Sequence, residues 1–315
     1  MNRKLRLITQ SALIAALGVA NSASGQSGKS VSDEVIEEQR RTLASNSAGL
    51  GFGPQSPRDL NSKTGKNPAR FAEAPAFVDM NLCNIHFHSA AEHKGGEFTR
   101  YAGNGDGRGH NTGYVYSGTL SAAETIQLAK PVCVGNQEVD QDGPEYLESP
   151  EPVDRLERVS SFPPADTLNA GDTIEVQYVY STALVRPGPT LNSCLSESII
   201  NPQLRIEAQV FVLVNDPTAL DFRELAKIDI VNGRYQAPGK LKNLGDPVRY
   251  LGSTSSPSFN TEASPVQVSW TVYPKVAKVD INSVGAWCKD NPFNEHYPHG
   301  VRNLIVNPSL LSPIP

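Results

Sequence analysis

The chain has 315 residues, 38% hydrophobic and 19% charged, a composition that excludes disordered, collagen-like and fibrous proteins and suffices for a large core. Its formal charge is −5, and losing the three basic residues of the leader described next takes it to −8, so nucleic acid has no electrostatic footprint to bind.

Arg3, Lys4 and Arg6 precede an apolar run from Leu7 to Ala20 and the small residues Ala23, Ser24 and Gly25. This order predicts a secretory signal peptide over 1–25, with a run too short for a permanent anchor, so no transmembrane anchor remains after its removal. A cytoplasmic amphipathic helix is the alternative. Residues 26–50 read as an N-terminal helical and linker segment, with a surface helix over Val31–Ala44. Gly49–Pro57 is a loop, and 51–315 is the expected folded domain, interrupted by an exposed insertion at 130–164 that mixes Pro and acids with few apolar residues. Strands are predicted at Asn81–Phe87, Tyr114–Leu120, Thr173–Ser181, Leu204–Asn215, Val266–Val272 and Val276–Ile281, with a Gly- and Asn-rich loop over Tyr101–Gly113. The expectation is a mainly β (α+β) single domain on one large, mostly antiparallel twisted sheet with a few short helices.

Four cysteines follow the leader: Cys83, Cys133, Cys194 and Cys288. An even number suits two disulfides in an oxidising compartment, and the chain is expected to be periplasmic or secreted. Three pairings are open. Cys83–Cys194 is favoured because it would brace the strand that carries the histidine pair described next.

That pair lies in Asn84–Phe98, NIHFHSAAEHKGGEF. Period two on a strand puts His86 and His88 on one face and Ile85 and Phe87 on the other, so the two imidazoles can grip one metal ion. Zinc accepts such nitrogens at ~2.0–2.1 Å. Taken alone, the pair is a weak signal and fits two histidines satisfied inside a buried strand better than a site, unless other parts of the chain supply the missing ligand. Gly95-Gly96 then signals a hairpin turn.

Four separated segments resemble the carbonic anhydrases, most closely the delta class, with motifs shared by the alpha class. Gln55-Ser56-Pro57 is similar to the family's QSP motif. His86-Phe87-His88 with Glu92-His93 resembles its HFH…EH motif, which carries two zinc-binding histidines. Glu175-Val176-Gln177 stands where the family has Glu-x-His, and Gly252–Pro257 with Trp270 resembles its GSxTTP…W region. The resemblance implies a zinc lyase in which zinc-bound hydroxide converts carbon dioxide reversibly to bicarbonate. It gives Ser255 the part of the hydroxyl that orients the nucleophile and Glu92 that of the carboxylate accepting the proton of that hydroxyl.

The departure is Gln177, in the place of the family's third histidine. A glutamine carbonyl is a neutral but poorer zinc donor, and Glu175 could orient it by accepting from its NH2. The alternatives are a two-His-one-Gln site of weakened affinity and a site that has lost stable metal, which would leave a carbonic-anhydrase-like binding module. A solvated strand residue is the remaining reading, disfavoured by the alignment of Gln177 with Glu175. Asn84, one strand period before His86, could accept from a ligand imidazole, and Gln55 could join the polar network around the site. His93 reads as a core hydrogen-bonding group. His110 reads either as a proton shuttle or as an ordinary loop histidine. His296 and His299 receive no role. The oligomeric state is open.

Overall fold

The computed structural model describes residues 41–42, 44–102, 113–134, 168–196, 199, 201–254, 263–301 and 305–315. The expected leader, Ser255, His110 and most of the insertion at 130–164 lie outside them. So does most of the helix expected over Val31–Ala44, although helical backbone is present at 41–42 and 44–47.

Nine strands are described: β1 Asn81–His88, β2 Arg100–Tyr101, β3 Tyr114–Val115, β4 Thr173–Ser181, β5 Leu204–Val214, β6 Asp229–Val231, β7 Arg234–Gln236, β8 Val248–Ser253 and β9 Gln267–Asp280. Five of them form one sheet in the order β1-β4-β5-β9-β8. All of its pairings are antiparallel except β5 with β9. Helices are short: one turn at Phe222–Leu225 and Ile281–Lys289, the latter capped by the Asp280 carboxylate on the Asn282 amide. The mainly β, mostly antiparallel single-domain expectation therefore holds.

Alternation along β1, β4 and β5 divides the interior. Ile85, Phe87, Val176, Tyr178 and Phe211 pack with Phe222, Trp287 and Phe293 on one face of the sheet. Val179, Ile206, Ala208 and Val210 pack with Tyr250, Val268 and Trp270 on the other. The first core carries buried polar groups from β5, and each is answered: Glu207 accepts from Lys240 Nζ at 3.3 Å and from the Tyr273 hydroxyl at 2.9 Å.

Two expected boundaries are corrected. The strands Val266–Val272 and Val276–Ile281 are one, β9, running through Pro274. Ala208 pairs with Val272 and Val210 with Val276, so Tyr273–Lys275 bulges outward while the ladder resumes on both sides. The proline marks a bulge, not an end. The return strand Tyr114–Leu120 stops at Val115, because the Tyr116 amide is taken by Thr173 Oγ1 (2.9 Å) and the Ser117 amide by the Glu97 carbonyl (2.8 Å). The turn expected at Gly95-Gly96 forms, closed by reciprocal Gly95–Phe98 backbone bonds, with Gly96 at φ +47°.

Both disulfides form, Cys83–Cys194 as expected and Cys133–Cys288. Cys83 is the extra residue of a bulge between Leu82 and Asn84 in β1, so its side chain leaves the strand's alternation and reaches Cys194.

Candidate metal centre

Register assembles the centre. In the antiparallel β1–β4 pair His86 lies opposite Gln177 and His88 opposite Glu175, which places all four side chains on one face. On β5 the next partners are Ala208 and Val210, small apolar residues that floor the site without adding polar groups. The His86 and His88 rings lie 5.4 Å apart at an interplanar angle of 80°. Asn84, Glu92, His93, Glu175, Gln177 and His88 are buried, and His86 is half-buried, so the site opens on the His86 side.

The amides fix the polarity of this cluster. Asn84 Nδ2 donates to the Gly188 carbonyl at 3.0 Å, which turns Asn84 Oδ1 onto His86 Nδ1 at 2.7 Å. His86 Nδ1 must therefore carry the proton. Gln177 Nε2 donates to Glu175 Oε1 (2.9 Å) and Glu92 Oε2 (3.1 Å), which leaves Gln177 Oε1 facing His86 Nε2 at 3.0 Å. On a neutral His86 these two atoms confront each other with lone pairs, an arrangement that calls for a cation, either a proton or a metal ion. Two ligands of a tetrahedral zinc, each ~2.0–2.1 Å from it, are about 3.3 Å apart, so the donor set fits the metal the family motif implies.

Around this pair runs a buried network. Glu175 Oε2 accepts from the Glu92 backbone amide (2.9 Å) and contacts His93 Nδ1 at 3.5 Å, while His93 Nε2 lies 2.6 Å from the Tyr250 hydroxyl. The His93 ring sits edge-on to Trp270 at 4.9 Å. Burial pushes the Glu92 carboxyl up, and the charge of Glu175 adds to that push. For Glu175 burial acts the same way, but His93 and the bonds from Gln177 and the Glu92 amide outweigh it and hold its carboxyl low. The two neighbouring acids are thus driven apart in proton affinity. Glu92 Oε1 is buried with no hydrogen-bond partner.

The sequence candidates distribute unevenly. His86, His88, Gln177, Glu175, Glu92 and Asn84 come together. Gln55 lies further off, with Oε1 accepting from Ser253 Oγ (3.0 Å) and the Ser264 amide (2.9 Å), so it braces the two ends of the segment that carries Ser255. Among the described residues one trio of metal-type ligand atoms lies within 4.8 Å of one another: His88, Glu92 and Glu175. Its interior is already occupied by Gln177 Nε2, which reaches both carboxylates and lies 3.5 Å from His88 Nδ1.

His299 was assigned no role on sequence, yet it stands at the site. The open edge of β1 is covered by the C-terminal segment, where the Ser89 amide donates to the His299 carbonyl and the His299 amide to the Phe87 carbonyl, both at 2.8 Å. The His299 ring lies 5.7 Å from that of His86 and 5.9 Å from that of His88. No spacing rule links positions 88 and 299, and only the pairing of a short irregular segment onto β1 reveals the proximity. Tyr250 was missed in the same way, because β8 was not read as a strand.

Among curated proteins, none matches this chain. The family model described as Delta carbonic anhydrase matches residues 77–143 and 154–283, which takes in all five strands of the main sheet and the residues of the cluster except His299. The chain belongs to the delta carbonic anhydrase family.

Proposed function

We propose that the protein is a zinc-dependent carbonic anhydrase that interconverts carbon dioxide and bicarbonate outside the cytoplasm, exported by residues 1–25. The observation that carries this reading is the confrontation of His86 Nε2 and Gln177 Oε1 at 3.0 Å, each turned inward by bonds it cannot reverse. His86, His88 and the neutral donor at position 177 would hold the metal. A zinc ion bound there supplies the positive charge that acidifies water and makes it nucleophilic at neutral pH. Because the histidines and the amide are neutral, they leave that charge undiminished. Asn84 Oδ1 fixes the His86 tautomer, and Glu175 and Glu92 fix the Gln177 amide. The unpartnered Glu92 Oε1 would accept the hydroxyl proton of Ser255, which turns a Ser255 lone pair towards the reacting centre. Two disulfides support an oxidising compartment, and no described helix is long and apolar enough to cross a membrane.

One observation favours a second reading. Both hydrogens of the Gln177 amide are satisfied by Glu92 and Glu175 without metal, as a carbonic-anhydrase-like binding module that has given up catalysis would require. Zinc content and carbon dioxide hydration, measured for the parent and for Gln177→His, separate the two. One zinc per chain with hydration activity that rises in the variant supports the enzyme. A folded protein that takes up no zinc and stays inactive in excess zinc supports the module.

A further inference from the structure

The centres of the His86, His88 and His299 rings form a nearly equilateral triangle with sides of 5.4, 5.7 and 5.9 Å. The rings are splayed, with interplanar angles of 80°, 75° and 60°, rather than stacked. Three imidazoles on one tetrahedral zinc have this arrangement: a metal–nitrogen bond of ~2.0–2.1 Å plus about 1.1 Å from nitrogen to ring centre puts neighbouring centres roughly 5.2 Å apart. The triangle is therefore a few tenths of an ångström looser than a loaded site.

Position 299 is also braced as ligand histidines are. Glu295 Oε2 lies 2.9 Å from His299 Nε2, and Glu295 is buried, so the carboxylate fixes the ring through that nitrogen and a metal would be met at Nδ1. The backbone on the other side is fixed by the two bonds to Phe87 and Ser89, so His299 is presented from a paired segment and not from a free tail. Asn84 does for His86 what Glu295 does for His299.

We infer that His299 supplies the third imidazole of the metal centre, in the office that Gln177 cannot fill with comparable affinity. The inference rests on the reading of this pocket as a metal centre and changes its donor set: His86, His88 and His299 bind. The Gln177 carbonyl becomes a weak neighbour that yields the remaining position to water. Imidazole is the better donor for zinc, and three of them leave the charge of the metal intact. The rival donor set on the page is His88 with Glu92 and Glu175, which would bring two carboxylates onto the metal and displace the Gln177 amide from the bonds it now makes.

The test uses the whole mature protein loaded with one equivalent of zinc. Zinc K-edge X-ray absorption counts imidazoles directly through their outer-shell scattering, and three are expected in the parent and two in His299→Gln. A chelator competition titration should show His299→Gln binding zinc at least about 100-fold more weakly. Glu295→Gln, which leaves the ring in place, should weaken binding about 10-fold. Thermal unfolding of the metal-free proteins checks that the variants remain folded, and the count on the parent stands even if they do not. Two imidazoles or one in the parent, with unchanged affinity in His299→Gln, overturn the inference while the metal reading survives. A parent that binds no zinc overturns both.

Discussion

Nε2 of His86 and Oε1 of Gln177 face each other at 3.0 Å, and neither can turn away without breaking a bond to Asn84, Glu92 or Glu175. The first prediction follows from the other end of the same amide. Gln177→Leu removes the donor that Glu92 Oε2 and Glu175 Oε1 share, in a site where Glu92 Oε1 already lacks a partner. The metal-free protein should lose about 2–4 kcal/mol in urea unfolding. A loss below about 0.5 kcal/mol would mean that the amide does not hold these carboxylates.

The two disulfides close long loops, with sequence separations of 111 and 155, and each should contribute about 2–5 kcal/mol. Their effects on the site should differ. Cys83 is the bulge residue beside Asn84, whereas Cys133 and Cys288 pack in the core on the opposite face of the sheet. Cys83→Ala/Cys194→Ala should therefore weaken zinc binding measurably, and Cys133→Ala/Cys288→Ala should lower stability with zinc affinity kept within about twofold. Equal effects on affinity would refute that division.

Lys240 and Glu207 form an ion pair with both side chains 3% exposed, and Lys240 Nζ also sits 3.9 Å over the Phe77 ring. Lys240→Met should cost about 3–5 kcal/mol, because it leaves Glu207 charged and buried with the Tyr273 hydroxyl as its remaining donor. Lys240→Met combined with Glu207→Gln should recover a large part of that loss. A thermodynamic cycle over the two sites measures the coupling.

Burial pushes the phenols of Tyr178, Tyr180 and Tyr250 above 10.0. In the unfolded chain they ionise from about pH 10, while in the folded chain they keep their protons. The folded state then binds more protons, so its stability is whole below pH 10 and falls above it, by about 1.4 kcal/mol per pH unit for each such tyrosine. Lys240 acts in the opposite sense, since burial lowers its value and the folded state gives up that proton first, but it is one group against these three and Tyr273, which burial also pushes up. Above pH 10, tyrosinate absorbance at 295 nm should therefore rise in two parts, a gradual one from the more exposed of the ten tyrosines and a final step that coincides with the loss of near-ultraviolet dichroism. Ionisation of all ten before the dichroism is lost, with no such step, would contradict the assignment.

Much of the fold was legible because alternation is a local signal. Thr173–Ser181 was read to the residue, and the shared face of Glu175 and Gln177 followed from parity alone. Misread elements were those in which one residue type carries two meanings. Val266–Val272 and Val276–Ile281 read as two strands, whereas Pro274 between them sits in a bulge whose ladder resumes beyond it. The hairpin β6–β7 was passed over although Asn232 and Gly233 both adopt positive φ, 52° and 76°, as a tight two-residue turn requires. At the site, the residues of β1 and β4 were found because motif and parity agreed. His299 was not, since its place depends on a pairing between segments at opposite ends of the chain, which no local pattern encodes.

That pairing bears on biosynthesis. The C-terminal segment lies along β1 at His88–His299, and further on it meets the N-terminal loop at Gln55–Leu311, so stretches made first wait for stretches made last. A chain synthesised only as far as β9 has β1 and β4 but lacks the flank that shields His88. Synthesis must pass His299 before that flank can form, so enclosure of the pocket belongs to a late stage of folding.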